Sequence, residues 1–512
     1  MIFAAPISNK PFHAPPAKPW VVVGRLFRFL FWVMVILTPL LGVWLASSLA
    51  SYFNGPRFLA FLAGALLFPV LPITWEVLVA RRRRKKGITE TRYLSVMDRI
   101  ILRTLAINAA FIAVLLMITP SSAFTALSAR GDWILDGNHT ETANTIRKNL
   151  FLAADRLEWL YLLTHDNPYT KLETKADKSV PTPAPRPKPE NLRISDGTST
   201  VAQTDKDLSE TDSVKTGAPL PAYMEWPLKN QIHPAVAAMP ESEKTSIPKI
   251  ARYLSSKEDN PYMLVKAIHD YVAERVHYDF ASLDAGRYPP YAADIVNQTR
   301  SGVCAGYAKL FEAIATAAGF NSIFIGGLVR QEDDNIDGNS HAWNAIEIDG
   351  MWQLVDTTWD SPHAKRDQRM ARYSTDYLFT PPTVFALDHF PDNPEWQLLD
   401  APLSRGDFIR QPMLTARFFS QNLSLVSPRR SQVTVDNQLT IQIDKPGKMF
   451  VMAAFSIKGE QRQTRCITKN DGRSATLTCD FPTSNTYQVT LFSNTSEFGT
   501  YASVGHIEAV RL

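Results

Sequence analysis

Ser301-Gly302-Val303-Cys304-Ala305-Gly306-Tyr307-Ala308, His341-Ala342-Trp343-Asn344 and Val355-Asp356-Thr357-Thr358-Trp359 are the stretches on which the reading of this 512-residue chain turns. From Cys304 onward Tyr307, Phe311, Ile314 and Ala318 recur at helical spacing, and Gly319 follows where a left-handed cap would close the helix. Cys304 therefore opens a helix, where unpaired N–H groups and the positive end of the macrodipole favour a thiolate over a thiol. His341 to Ile348 and Met351 to Thr357 read as two strands joined by Asp349-Gly350, a two-residue hairpin signal. Pairing Ile348 with Met351 sets a register in which His341 faces Thr358, and Asp356 lies on the same face, diagonally adjacent. A helix-borne thiol beside an imidazole and a carboxylate has the composition and order of a Cys-His-Asp triad. A zinc site is the competing use of these residues, and no second Cys or His lies at ligand spacing near them.

At these residues the chain resembles the transglutaminase-like superfamily, papain-like in chain order. The resemblance extends upstream through Ile232-His233-Pro234, Ala267-Ile268-His269-Asp270-Tyr271-Val272 and Val276-His277-Tyr278-Asp279. Downstream, Tyr377-Leu378-Phe379-Thr380-Pro381-Pro382, His389-Phe390-Pro391 and Trp396-Gln397-Leu398-Leu399 resemble the kyphoscoliosis-peptidase branch. The resemblance covers about residues 225 to 410. It implies a thiol nucleophile at Cys304, general acid/base at His341 and an orienting carboxylate at Asp356. Cross-linking transferases, peptidases and amidases share the superfamily, so the fold does not choose the reaction. The Cys304 backbone N–H is the first oxyanion donor and Tyr278 a candidate second; Trp343 and Trp359 are candidates for the acyl groove, with a core role as the other reading. The expected partner is a protein or peptide substrate of the cell envelope, and no cofactor is called for. A catalytically silent binding or scaffold module is the alternative.

The N-terminus carries the second signal. Residues 29–53, 58–80 and about 104–123 are apolar runs long enough to span a bilayer, and Asn54-Gly55-Pro56 makes a tight connection between the first two. Their number, and the lack of a small-residue cleavage site, exclude a cleavable signal. Arg81-Arg82-Arg83-Arg84-Lys85-Lys86 lies between the second and third runs, and the positive-inside rule places it in the cytoplasm with Lys18, Arg25 and Arg28. Three crossings of an inner membrane then put everything after Ala123 in the periplasm or outside the cell. Residues 1–103 hold fourteen Lys/Arg against three Asp/Glu, net +11, so the whole-chain charge of +4 leaves −7 for the rest. The basic balance is thus an orientation signature, and nothing points to nucleic acid. Glu76 and Asn108 lie within spans and read as structural, Glu76 pairing with the arginines.

The expected organisation is α+β: a membrane domain with three transmembrane helices over 1–128, a juxtamembrane helix over 129–168, a disordered Pro-rich linker over 169–222, a transglutaminase-like core over 223–412 and an immunoglobulin-like β-sandwich over 413–512. The linker holds Pro181-Thr182-Pro183-Ala184-Pro185-Arg186-Pro187-Lys188-Pro189 and lacks aromatics for a core. The sandwich is read from short β runs separated by turn residues. Cys466 and Cys479 flank Asn470-Asp471-Gly472 on what should be neighbouring strands; in an oxidising compartment they bridge and leave Cys304 as the free thiol. Asp333, Asn335 and Asp337 match the start of a calcium loop. The twelfth position is Asn344 and a strand follows, so a solvated turn is the preferred reading.

Overall fold

The strands Asn321–Val329, Asn339–Ile348, Met351–Val355 and His389–Pro391 form one antiparallel sheet, with Asn339–Ile348 and Asn321–Val329 at its centre and His389–Pro391 beside Asn321–Val329. Asp349 and Gly350 both adopt positive φ, the geometry of a type I′ hairpin, and Ile348 pairs with Met351. Pairing stops at Asn344–Val355. The expected apposition of His341 and Thr358 is therefore corrected: Asp356 leaves the sheet and caps the one-turn helix Thr357–Asp360, its Oδ1 accepting from the N–H groups of Thr358 (2.8 Å) and Trp359 (3.2 Å). A side-chain oxygen that can satisfy two orphan N–H groups favours a helix start over continued pairing.

Helix Cys304–Ala317 covers one sheet face, burying Tyr307, Phe311 and Ile314 with Ile346, Ile348 and Val355. It ends at Ala318. Gly319, at φ +94°, follows with the paired hydrogen bonds of a Schellman cap, Phe320 N–H to Ala315 O (3.0 Å) and Gly319 N–H to Thr316 O (3.0 Å). Asn344, fully buried, donates to Ala308 O (3.1 Å) and Ile323 O (3.3 Å), tying the helix to the sheet. The other face buries Ile325, Trp343, Leu354, Tyr377 and Phe385. Gly327 permits the edge strand to close in: a Cβ there would lie 2.4 Å from Phe390 O and 2.5 Å from the Trp343 ring.

The C-terminal sandwich stacks a four-stranded sheet on a larger one. Gln438–Asp444 alternates strictly between exposed and buried, as a strand with one wet face must. Cys466 and Cys479 are disulfide-bonded. Cys466 lies between Thr464–Arg465, which pairs in one sheet, and Ile467–Asp471, which pairs in the other, so the bridge staples the chain where it switches sheets.

This computed structural model describes residues 19–53, 62, 64–87, 94–118, 120–136, 138, 140–163, 167–172, 220–221, 224–330, 339–366 and 371–511, in two units, Met1–Ala123 and Phe124–Leu512. Among the described residues of the first, two helices are long and apolar enough to cross a membrane, Phe29–Tyr52 and Val96–Ile118. The expected set of three is corrected on two points. The described part of the middle run is a π-helical turn, Leu66–Val70, and a helix, Leu71–Lys85, that continues through the basic run, since Arg and Lys are good helix formers and favour a helix C-terminus. The last span starts earlier because Ser95 and Asp98 cap it reciprocally, Asp98 N–H donating to Ser95 Oγ (3.1 Å) and Ser95 N–H to Asp98 Oδ2 (3.1 Å). Beyond Ile118 the described residues are helical again over Pro120–Arg130. Glu76 accepts from Arg99 (2.8 Å) and Arg103, and Asn108 donates to Thr104 O (2.9 Å).

In the second unit the stretch 131–163 is three pieces, Trp133–Leu135, Glu141–Asp155 and Glu158–Leu162. They pack on the soluble domains. Asp132, fully buried, accepts from Arg147 (2.8 Å) and Arg430 (2.8 Å); burial opposes its charge, but Arg430, Arg147 and Arg130 hold the carboxyl below its usual range. The Asn54-Gly55-Pro56 turn, the calcium candidates Asp333, Asn335 and Asp337, and residues 173–219 of the expected linker lie outside the described residues.

Gly327→Ala should lower the stability of the soluble unit by about 1–3 kcal/mol, because backbone and a buried indole leave the methyl no room. Urea unfolding followed by tryptophan fluorescence checks this, and an unshifted midpoint would mean the edge strand tolerates displacement.

Candidate active site

Cys304 is the first residue of its helix, preceded by extended Val303, and its side chain is buried. His341 stands on the neighbouring strand, also buried, near enough to Cys304 for the sulfur to favour charge on its ring. Its Nε2 lies 2.8 Å from Asp356 Oδ2. Asp356 accepts a hydrogen bond, so Nε2 carries the hydrogen and Nδ1 is left for the thiol. Burial works against charge on the ring, but Asp356 and the Cys304 sulfur outweigh it and raise the imidazole pKa to about 10. Burial likewise opposes charge on Asp356, yet His341 and His389 hold the carboxyl well below the usual carboxylate range. The three groups are all buried, and only the helix start and the hairpin had to be read to find them.

The structure adds a second imidazole. His389, on the edge strand and fully buried, places Nε2 3.2 Å from Asp356 Oδ2 and Nδ1 2.7 Å from Asp388 Oδ1. Phe385, Trp359, Trp343 and Tyr377 surround its ring at 3.9 to 5.4 Å between centroids. The expectation that no further His or Cys stands near the site is thereby corrected: a strand arriving 33 residues beyond Asp356 supplies one, and linear spacing does not register sheet neighbours. His341, Asp356 and His389 are three potential metal donors within 4.8 Å. Both imidazoles already hydrogen-bond to the same carboxylate oxygen, so a metal would have to displace two charge-assisted hydrogen bonds.

Tyr278 is half-buried on a two-residue strand, His277–Tyr278, paired with Ser301–Gly302 directly ahead of Cys304. Burial and the nearby Cys304 raise the pKa of its hydroxyl above the usual phenol range, so it keeps its proton. Trp359 is half-buried 5.8 Å from the His341 ring, whereas Trp343 is buried in the core beneath the site. Tyr169 is a further neighbour missed in the sequence: it packs in one buried cluster with Cys304 from a segment well upstream. Behind the site His269 lies 3.0 Å from Asp270 Oδ1 and 3.2 Å from Asp360 Oδ2, all three fully buried.

Residues 248–357 match the model of the transglutaminase-like superfamily, and residues 405–505 match the KY-like, immunoglobulin-like domain. Kyphoscoliosis peptidase of Mus musculus and that of Homo sapiens are each 28% identical over 237 residues, covering 45% of this chain and 35% of their own. The chain thus spans about a third of the length of these curated relatives. A solved structure of a TGase is 21% identical over 23% of this chain and 32% of its own, at a TM-score of 0.19.

A raised folded pKa makes the His341 contribution to stability complete below its ordinary value of 6.5 and loses it as the pH rises toward about 10. Urea midpoints of the soluble unit should therefore fall from pH 7 to about 10, and Asp356→Asn should be less stable at pH 7 and flatter over that window. Parallel curves for the two proteins would mean that Asp356 does not hold the proton on His341.

Proposed function

We propose, for a chain whose residues 248–357 belong to the transglutaminase-like superfamily, a membrane-anchored thiol enzyme that acts on peptide or amide bonds of envelope proteins through Cys304, His341 and Asp356. The observation that carries this reading is that His341 Nε2 lies 2.8 Å from the buried Asp356 carboxylate, with Cys304 buried at a helix start beside this pair. An imidazolium held to high pH pairs with a thiolate at a helix N-terminus. The thiolate sulfur adds to the carbonyl carbon. As the tetrahedral adduct collapses, His341 gives its Nδ1 proton to the leaving amine, the C–N bond breaks and a thioester remains. Water releases the acid, or a second amine a new amide, returning a proton to His341.

The carbonyl oxygen would take the Cys304 N–H. Tyr278, whose hydroxyl keeps its proton because burial beside Cys304 raises its pKa, would donate it as the second partner. The peptidase named among the relatives favours hydrolysis over transfer here. Export is supported by the basic run 81–86 under the positive-inside rule and by the disulfide, which suits an oxidising compartment.

Cys304→Ala should abolish both turnover of envelope peptides and labelling by a thiol-directed electrophile while leaving the unfolding midpoint in place. Asp356→Asn should lower kcat by roughly 10²–10⁴-fold, because an amide cannot offset the imidazolium. A folded Asp356→Asn protein with wild-type rate would remove Asp356 from the mechanism, and an unreactive wild-type thiol after the site is opened would favour a silent binding module. For the membrane part, a periplasm-active reporter fused after Leu220 should be active and one fused after Lys86 inactive; the reverse pattern would overturn the orientation.

A further inference from the structure

Tyr169 reaches the thiol from a short segment, residues 167–172, that is anchored on the catalytic sheet. Asn167 Nδ2 donates to Gly327 O (3.1 Å) and to Asp392 Oδ2 (2.7 Å), and Thr170 Oγ1 donates to the same carboxylate oxygen (2.5 Å). Asn167 Oδ1 accepts from the Tyr169 N–H (3.0 Å), turning the chain so that the tyrosine faces inward. The Tyr169 side chain is 5% exposed and packs with Cys304, Ala305, Ala308, Phe324 and Ala342, with Leu172 against the same cluster. Tyr288 meets the ring edge-on at 6.1 Å.

The walls of this cluster are informative. Ala305 and Ala308 lie on the nucleophile helix and Ala342 follows His341, so three methyl groups bound a slot between the catalytic elements, closed by the Phe324 ring. Cys304 is 1% exposed beneath it. Tyr169 is among the side chains that bury the sulfur. An ordinary core tyrosine is held by the fold around it; this one is held by a segment whose side-chain hydrogen bonds go to Asp392 and the Gly327 carbonyl at the edge of the sheet.

Resting on the reading of Cys304 as the nucleophile, we propose that residues 167–172 occupy the substrate groove as a pseudosubstrate strap, and that the slot holding Tyr169 is the subsite for an aromatic side chain of the peptide substrate that displaces it. The substrate class is then a peptide with an aromatic residue at the position next to the attacked carbonyl, and the resting enzyme is closed until the strap is drawn off. The apparent reactivity of the thiol is reduced by the fraction of molecules in the open state.

The test is the rate at which iodoacetamide alkylates Cys304 in the detergent-solubilised full chain. Tyr169→Ala, which empties the slot, and Asp392→Ala, which releases the anchors without touching the slot, should each raise that rate roughly tenfold or more, with an unfolding midpoint that stays above the assay temperature. The free hexapeptide Asn-Pro-Tyr-Thr-Lys-Leu should slow alkylation of Tyr169→Ala, and its Tyr-to-Ala counterpart should not. Unchanged alkylation in both folded variants overturns the strap; a faster rate that neither peptide, or both equally, slows overturns the aromatic subsite. Faster alkylation with selective protection, but no turnover of any aromatic peptide, keeps the strap and removes the enzyme reading instead.

Discussion

One buried carboxylate sets the geometry of the site. Asp356 accepts at least four hydrogen bonds, from two imidazoles on Oδ2 and two backbone N–H groups on Oδ1, and it is fully buried. An unpaired carboxylate there would cost several kcal/mol, so sheet, helix and edge strand must all arrive for the charge to be tolerated. Breaking any one donor leaves the others with a poorer acceptor. Such a network is more sensitive to loss of a partner than the sum of its pairs.

The one-turn helix Thr357–Asp360 extends this dependence. Asp356 stands at its start, and Asp360 at its end accepts from Ser374 Oγ (2.5 Å) and the Tyr377 N–H (3.0 Å) while lying 3.2 Å from His269. Tyr377 donates to Asp388 (2.5 Å), which holds His389, which returns to Asp356. The loop of hydrogen bonds therefore closes on itself. The two histidine-containing networks are rigidly spaced by four residues of chain, and a shift of the hidden pair, His269 and Asp270, would be felt at the acid that orients His341.

Chemistry carried by adjacent residues was legible before folding, and chemistry assembled across the sheet was not. The start of helix Cys304–Ala317, its glycine stop and the Asp349-Gly350 hairpin are local events, each decided within a few residues. Hence Cys304, His341 and the hairpin leading to Asp356 were found, while the register error at Thr358 arose because side-chain capping competes with strand pairing at the last residue. His389 had no local mark of its role: its position depends on Gly327 letting an edge strand approach, a fact about atoms that meet only in three dimensions. The start of the last apolar helix was missed for a related reason, since hydropathy sees apolar length but not the Ser95–Asp98 cap.

Tyr169 was invisible for the strongest version of that reason, because it enters the site from a segment that composition assigned to a linker. Its placement follows from contacts on either side of it. Glu158 accepts from Arg405 (3.1 Å), Asp155 from Ser404 (3.1 Å), and Arg405 stacks on Tyr161 and Phe390 at 4.5 and 4.7 Å. Arg430 binds Asp132, and Arg410 lies 4.2 Å over Phe151. These cations lie at the junction of the catalytic and sandwich domains, so helices Glu141–Asp155 and Glu158–Leu162 are latched where the two domains meet. Ion pairs with one partner fully buried resist screening better than surface pairs, which makes this latch a fixed support. The segment that follows it holds an aromatic ring in the thiol's cluster, tied to the sheet by side-chain hydrogen bonds to Asp392 and Gly327. A support fixed upstream lets residues 167–172 be displaced, as the strap requires, without unfolding what carries them.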